Sequence, residues 1–219
     1  FTFPSTANAF VLRGAKIIFV DIHPNTMNIN AELVDLAVSE NTRAIVVVHY
    51  AGVACEIDSI LEIAKRHNLY VIEDAAQGMM SHYRDNALGT IGSLGAFSFH
   101  ETKNIVGGQA GCISVNNSKL IKRTNYILDK GTNRRDFIKD FKKKIISSKN
   151  NKKFYSWVDL GSEYRAPELS SALLYSQLLK VKKIQKIRKK NWNAFNQLIN
   201  RLDSKKVYLI KPRKRSKSA

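Results

Sequence analysis

No stretch of this 219-residue chain approaches the roughly 18–20 consecutive apolar residues that a membrane-spanning helix requires. Cysteine is scarce. Cys55 and Cys112 cannot build a disulfide framework or a thiolate metal cluster, which points to a reducing, cytoplasmic setting. The chain opens Phe1-Thr2-Phe3-Pro4, with no initiator methionine and neither the basic nor the apolar segment of a secretory signal. The sequence is therefore expected to begin inside a longer protein. The five histidines, at positions 23, 49, 67, 82 and 100, fall at no metal-ligand spacing, and no metal is expected. Also missing are Gly-x-x-x-x-Gly-Lys-Ser/Thr, Gly-x-Gly-x-x-Gly, Gly-x-Ser-x-Gly and His-Glu-x-x-His, which removes the common nucleotide-loop, serine-hydrolase and zinc-protease signatures. What is present is ordinary for a globular protein. Hydrophobic residues make up 44% and charged ones 25%, enough for one large domain or two small ones.

Charge is distributed unevenly. Residues 1–116 carry 7 Lys+Arg against 11 Asp+Glu, a net of −4, whereas residues 117–219 carry 29 against 7, a net of +22. Such asymmetry fits a nucleic-acid-binding module in the second half. It also fits plain enrichment in Lys, Asn and Ile of the kind AT-rich coding produces. The basic residues lack interleaved stacking aromatics, which favours the second reading.

The first two-thirds alternates strand and helix patterns. Strands are expected at Lys16–Asp21, Arg43–Tyr50, Leu69–Asp74, 95–99 and 111–115. The second of these is apolar enough to be buried on both faces. Helices are expected at Ala31–Val38, capped by Asn30, and at 57–67, where Ile57, Ile60, Leu61 and Ala64 share a face. This order predicts a mainly parallel sheet covered by helices. Beyond it, helical periodicity returns at Ser118–Lys130 and from Pro167 to about Arg201. In the latter, Leu169, Ala172, Leu173, Ser176, Leu179 and Val181 form the expected packed face. Segment 139–153 reads as an exposed loop, and Lys211–Ala219 as a frayed end.

Two segments carry chemistry. In Glu73-Asp74-Ala75-Ala76-Gln77-Gly78 a buried strand delivers a carboxylate to its C-terminal end, the edge where open α/β sheets bind ligands. Asp74 there serves either as a ligand group or as a cap for the following turn. In Gly95-Ala96-Phe97-Ser98-Phe99-His100-Glu101-Thr102-Lys103-Asn104, followed by Gly107-Gly108, an apolar strand ends in hydroxyl, imidazole and amine groups. Lys103 is either an ordinary surface lysine or an amine desolvated toward the neutral form that Schiff-base chemistry requires. The spacing Gly89-x-x-Gly92-x-x-Gly95 looks like a nucleotide loop but precedes a strand, and so reads as a turn.

Taken together, Asp-Ala-Ala-Gln and Ser-Phe-His-x-Thr-Lys-Asn resemble the paired signatures of the DegT/DnrJ/EryC1/StrS nucleotide-sugar aminotransferases, fold-type I enzymes dependent on pyridoxal 5′-phosphate (PLP). Longer stretches extend the resemblance from residue 1 to about 200: Phe3–Phe10, Val48–Glu56, Phe97–Asn104 and Lys130–Arg134. The resemblance implies that Lys103 holds PLP covalently and moves the proton between its C4′ and the substrate carbon. It implies further that Asp74 pairs with the pyridinium nitrogen, Gln77 meets the 3-oxygen, Ser98 donates to the phosphate and Phe3 stacks on the ring face. For Phe3, core packing is the alternative. Thr132, Asn133 and Arg134 are placed near the nucleotide sugar.

The implied reaction moves an amino group from glutamate to the C4 ketone of a dTDP-4-keto-6-deoxyhexose, for surface-polysaccharide synthesis, in a homodimer with shared active sites. Residues 1–185 would form the PLP-binding large domain and 186–219 the start of a linker or small domain. The sequence departs from the family pattern at Gln109-Ala110, where Glu and Gly are usual, and at Arg165. By comparison with the family, an N-terminal segment and most of a small domain lie outside this chain. A non-catalytic remnant is the alternative.

Overall fold

The computed structural model describes residues 1–138, 154–201 and 216–217. The chain divides into two compact units, one formed by Phe1–Asn116 with Glu168–Ala219 and the other by Asn117–Pro167. The expected loop at 139–153 lies outside the described residues, as does most of the expected frayed end.

The first unit is built on a four-stranded sheet. Its strands are β1 (Ala44–Val48), β2 (Tyr70–Asp74), β5 (Leu94–Ser98) and β6 (Gly111–Val115), in the order β1-β2-β5-β6. The first three run parallel and β6 is antiparallel to β5, so the expected mainly parallel α/β sheet is present. The small strands β3 (His82–Tyr83) and β4 (Asn86–Ala87) form a separate ladder with β7 (Ser216–Lys217). Two residues of the expected frayed end are thus paired.

Helix α1 (Pro4–Val11) starts with proline at its first position, where the missing N–H costs nothing. Helix α2 (Ala31–Ala37) is capped as expected: the Asn30 side chain accepts the Glu32 N–H at 2.9 Å. Helix α3 (Ile57–Arg66) turns Ile57, Ile60, Ile63 and Ala64 inward, where they meet Val34, Ile45, Val47 and Val71 in the core. These apolar contacts bind α2 and α3 to one face of the sheet.

Three expectations are corrected. First, β1 is buried on one face only. Ile45 and Val47 are buried, whereas Val46 and Val48 are half-buried and line an apolar groove of about 550 Å³ with Ile17 and Phe19. Second, Lys16–Asp21 forms no strand. Among the described residues it has no ladder partner, and only the bridge Ile22–Ile29 follows it. Without a neighbouring strand its β propensity finds no hydrogen bonds to complete. Third, the long C-terminal helix is two helices, α5 (Glu168–Leu179) and α6 (Val181–Arg201), and neither contains a buried residue. Of the expected packed face, Leu169 (88%), Ala172, Leu173 and Leu179 (70%) are exposed, and Ser176 and Val181 are half-buried. The second unit contains α4 (Ser118–Leu128), capped by Asn117 through the Lys119 N–H at 3.0 Å.

The glycine series from 89 to 95 explains how the sheet closes. A Cβ on Gly95 would sit 1.9 Å from the Gly89 carbonyl oxygen, so β5 passes directly against that loop. Gly89 itself has φ +87°, with no room for a side chain beside Phe97. Gly95→Ala is therefore expected to exceed the ~1–3 kcal/mol of ordinary overpacking. Urea unfolding followed by circular dichroism checks it; a midpoint within error of the parent chain refutes the close crossing.

Candidate functional site

Strands β1, β2 and β5 point the same way, and Val48 pairs with Asp74, which pairs with Ala96. Their C-terminal ends therefore share one sheet edge. Three of the residues singled out in the sequence lie directly on it or in the turn just beyond. Asp74 is the last residue of β2, half-buried, and both carboxylate oxygens are engaged. Oδ2 accepts the Thr6 hydroxyl at 2.6 Å, and Oδ1 accepts the Ala76 N–H at 3.0 Å. Asp74 thus makes the local turn bond expected of a cap and also bonds a residue from a distant helix. Gln77 reaches back to the turn after β1, where its Oε1 accepts the Ala51 N–H at 2.6 Å. Ser98 ends β5, and its Oγ accepts the His100 N–H at 3.4 Å.

Lys103 lies in the turn that follows. Its backbone N–H donates to the His100 carbonyl at 2.9 Å and its side chain is half-buried. Among the described residues its amine makes no ion pair. His100 is occupied locally, with Nδ1 accepting the Thr102 N–H at 3.3 Å. Phe3 is the N-cap of α1 and is 75% exposed. It does not pack in the core, so the alternative role considered for it is removed. Phe1 does make a ring contact, edge-on to Tyr50 at 4.8 Å. Ala110 is not among the residues with positive φ, so glycine's absence there brings no left-handed strain, while Gly108 beside it does have φ +72°.

Beneath this edge lies a buried polar network that sequence reasoning missed. Glu73 is fully buried. Its Oε1 accepts the N–H groups of Ile91 and Gly92, both at 2.6 Å. Its Oε2 accepts the Gly89 N–H at 2.7 Å and meets His49 Nε2 at 2.9 Å. The glycine spacing is thus a turn, as expected, but one whose bare amides cradle the protein's own carboxylate. His49 Nδ1 accepts the Cys55 N–H at 3.2 Å, so the ring proton resides on Nε2 and is donated to Glu73. Burial opposes charge on Glu73, yet the His49 imidazole and the Gly92 and Gly89 amides outweigh it. The carboxyl is held below its ordinary value. Asn28, also buried, fastens the same turn by donating to the Val53 carbonyl and accepting the Tyr50 N–H. The only sequence signals for this network were two glycines at a fixed spacing and a histidine just past an apolar strand.

Asn133 and Arg134 belong to the second unit. Asn133 Oδ1 accepts the Ser156 N–H at 2.7 Å, Thr132 Oγ1 donates to the Asp129 carbonyl at 2.9 Å, and Arg134 is exposed. In the same unit Arg165, the departure noted in the sequence, pairs with buried Asp129 at 2.8 Å.

The strands of this open α/β sheet end at Asp74 and Ser98 with Lys103 in the turn beyond, and the sequence comparison identifies the family. The chain belongs to the DegT/DnrJ/EryC1/StrS aminotransferase family, which it matches over residues 1–219. Among its relatives, an uncharacterised protein of Methanocaldococcus jannaschii is 35% identical over 203 residues, covering 93% of this chain and 51% of that protein. The spore coat polysaccharide biosynthesis protein SpsC of Bacillus subtilis is 33% identical over 187 residues, covering 85% and 46%. Among solved structures, Helicobacter pylori PseC, an aminotransferase involved in the biosynthesis of pseudoaminic acid, superposes with a TM-score of 0.78 at 25% identity. It covers 93% of this chain and 50% of its own. The chain spans about half the length of the curated relatives it matches.

Proposed function

We propose that this chain is the cofactor-binding core of a PLP-dependent sugar aminotransferase acting on C4 of a dTDP-4-keto-6-deoxyhexose with glutamate as amino donor. The product would be a dTDP-4-amino-4,6-dideoxy sugar, as a dTDP-4-amino-4,6-dideoxygalactose transaminase makes, used for surface polysaccharide. The observation that carries the reading is the assembly of Asp74, Gln77, Ser98 and Lys103 beyond the C-terminal ends of β1, β2 and β5. A spore coat polysaccharide protein and an aminosugar enzyme among the relatives support the substrate class.

The donor set fits PLP. Asp74 keeps acceptor capacity beyond its two present bonds, since an ionised carboxylate offers about four lone-pair sites. The Lys103 amine is not tied up in an ion pair among the described residues. Asp74 would hold the ring nitrogen, Gln77 the 3-oxygen, Ser98 the phosphate, and Phe3 the ring face. When bound, PLP supplies an aldehyde carbon that condenses with amines and a ring that draws electrons from the adjacent carbon. Asp74 keeps a proton on the ring nitrogen, and the Lys103 Nζ moves a proton to and from the substrate carbon as general acid and base. Asn133 and Arg134 are assigned to the nucleotide sugar. Glutamate leaves as 2-oxoglutarate, and the ketone leaves as an amine.

The proposal extends to a cytoplasmic homodimer with shared active sites. The exposed Leu169, Leu173 and Leu179 of α5 supply apolar surface of the kind association covers. It also divides the chain into a PLP-binding region at 1–185 and a linker or small-domain start at 186–219.

Incubating the PLP-loaded protein with ¹⁵N-glutamate and a dTDP-4-keto-6-deoxyhexose tests the reading. Mass spectrometry should find the label in the sugar and unlabelled 2-oxoglutarate in the mixture. Labelled nitrogen that stays with glutamate overturns it.

A further inference from the structure

We infer that Thr6 is a positioning residue that locks the Asp74 carboxylate against the cofactor's ring nitrogen and thereby anchors helix α1 at the sheet edge. The inference rests on the assignment of Asp74 made above, and on a contact that assignment does not use. Thr6 Oγ1 lies 2.6 Å from Asp74 Oδ2 across 68 residues of sequence. An ionised carboxylate only accepts, so Thr6 is the donor, and the separation is that of a charge-assisted O–H···O⁻ bond. The other neighbour of Thr6 Oγ1 is Thr2 Oγ1, also at 2.6 Å. With the Thr6 proton committed to Asp74, Thr2 must donate to Thr6, and the chain Thr2 to Thr6 to Asp74 has one direction.

Two features give this chain a role beyond local bonding. The Ala76 N–H holds Oδ1 while Thr6 holds Oδ2, so the plane of the carboxylate is set from both ends. A group already ordered loses less freedom when its ligand arrives. In addition, α1 has no fully buried side chain; Ala7 and Phe10 are half-buried. The Thr6 bond, with the Phe1 ring against Tyr50 beside it, fastens the helix beyond that partial apolar contact. Phe3, the residue assigned to the ring face, caps this same helix, and its carbonyl accepts the Thr6 N–H at 3.1 Å. One hydroxyl therefore couples the acid assigned to the ring nitrogen with the aromatic assigned to the ring face.

The test uses the full chain with Thr6→Val and Thr6→Ser, each titrated with PLP and with 1-deaza-PLP, in which C–H replaces the ring nitrogen. Thr6→Val should weaken PLP binding about tenfold, the equivalent of one charge-assisted hydrogen bond. It should leave the deaza analogue within about twofold, and Thr6→Ser should restore PLP binding. A structural defect alone would weaken both ligands equally, and that result, or no loss for PLP, overturns the positioning role. Without any ligand, amide hydrogen exchange across residues 6–12 should rise about tenfold in Thr6→Val and stay at the parent rate in Thr6→Ser. Unchanged exchange in the valine variant overturns the anchoring of α1. Equal affinity of the unaltered chain for both ligands would instead overturn the assignment of Asp74 and with it the role of Thr6 toward the ring, while the exchange measurement still decides the anchor.

Discussion

Lys103→Ala should abolish covalent capture of PLP. In the parent chain, borohydride reduction after PLP binding converts the linkage at Lys103 Nζ into a stable secondary amine. Trypsin cannot cleave after that lysine, so the usual break at 103 disappears and peptide 85–119 is recovered whole with the cofactor's added mass. In the alanine variant the same long peptide appears without the added mass. The expected specificity follows from the local structure: Lys103 sits just past β5, half-buried, beside the edge that carries Asp74 and Ser98. Of the chain's other lysines, Lys16 and Lys65 fall in the first half outside the two motifs, and the rest in its basic second half. Amino transfer should fall by at least the ~10²–10⁴-fold that a positioned acid–base group contributes, and further because the covalent attachment goes too. A label on any other lysine, or an unchanged rate in Lys103→Ala, sinks the proposed chemistry.

Glu73→Ala should unfold the first unit under mild conditions. The substitution removes the acceptor shared by the N–H groups of Gly89, Ile91 and Gly92 and by His49 Nε2, all within 2.9 Å. Each buried donor left without a partner costs about 1–3 kcal/mol, the His49 Nε2–H among them. These overlap, but the loss rivals the whole stability of a typical domain. Denaturant unfolding should show it as a midpoint shift far larger than that of a surface control such as Glu40→Ala. The same network predicts the sign of the acid response. Because Glu73 is held below its ordinary value when folded, its contribution is complete above about pH 4.5 and is lost as pH falls through the lower folded-state value. Glu73→Gln should flatten that acid limb, and an acid limb identical to the parent's would refute the buried anion.

Much of the architecture was legible because it depends on local pattern. Asn30 as a cap, the apolar period of α3 and the strand ending at Asp74 all follow from neighbouring residues, while β5 lies one residue earlier, at Leu94–Ser98, than the expected 95–99. What escaped depends on partners far along the chain. Lys16–Asp21 has the composition of a strand, but a strand exists only where another supplies its ladder. The residues 167–201 have unbroken helical period, yet the helix breaks at Lys180. The candidate site divides the same way. Asp74, Gln77, Ser98 and Lys103 sit in two contiguous motifs. Thr6, His49 and Glu73 join the picture only when folding closes gaps of 68 and 24 residues. The glycine spacing was visible, but nothing in it revealed that its amides would turn toward Glu73.

The outer margin of β1 carries a last consequence. It is the terminal strand of its sheet, its backbone has no ladder partner on that side among the described residues, and Val46, Ile17 and Phe19 line an apolar trough beside it. An open margin of this kind can template pairing with a like margin on another molecule. At high concentration the isolated polypeptide is therefore prone to self-templated aggregation, and a lysine or proline placed on β1 would act as a gatekeeper against it.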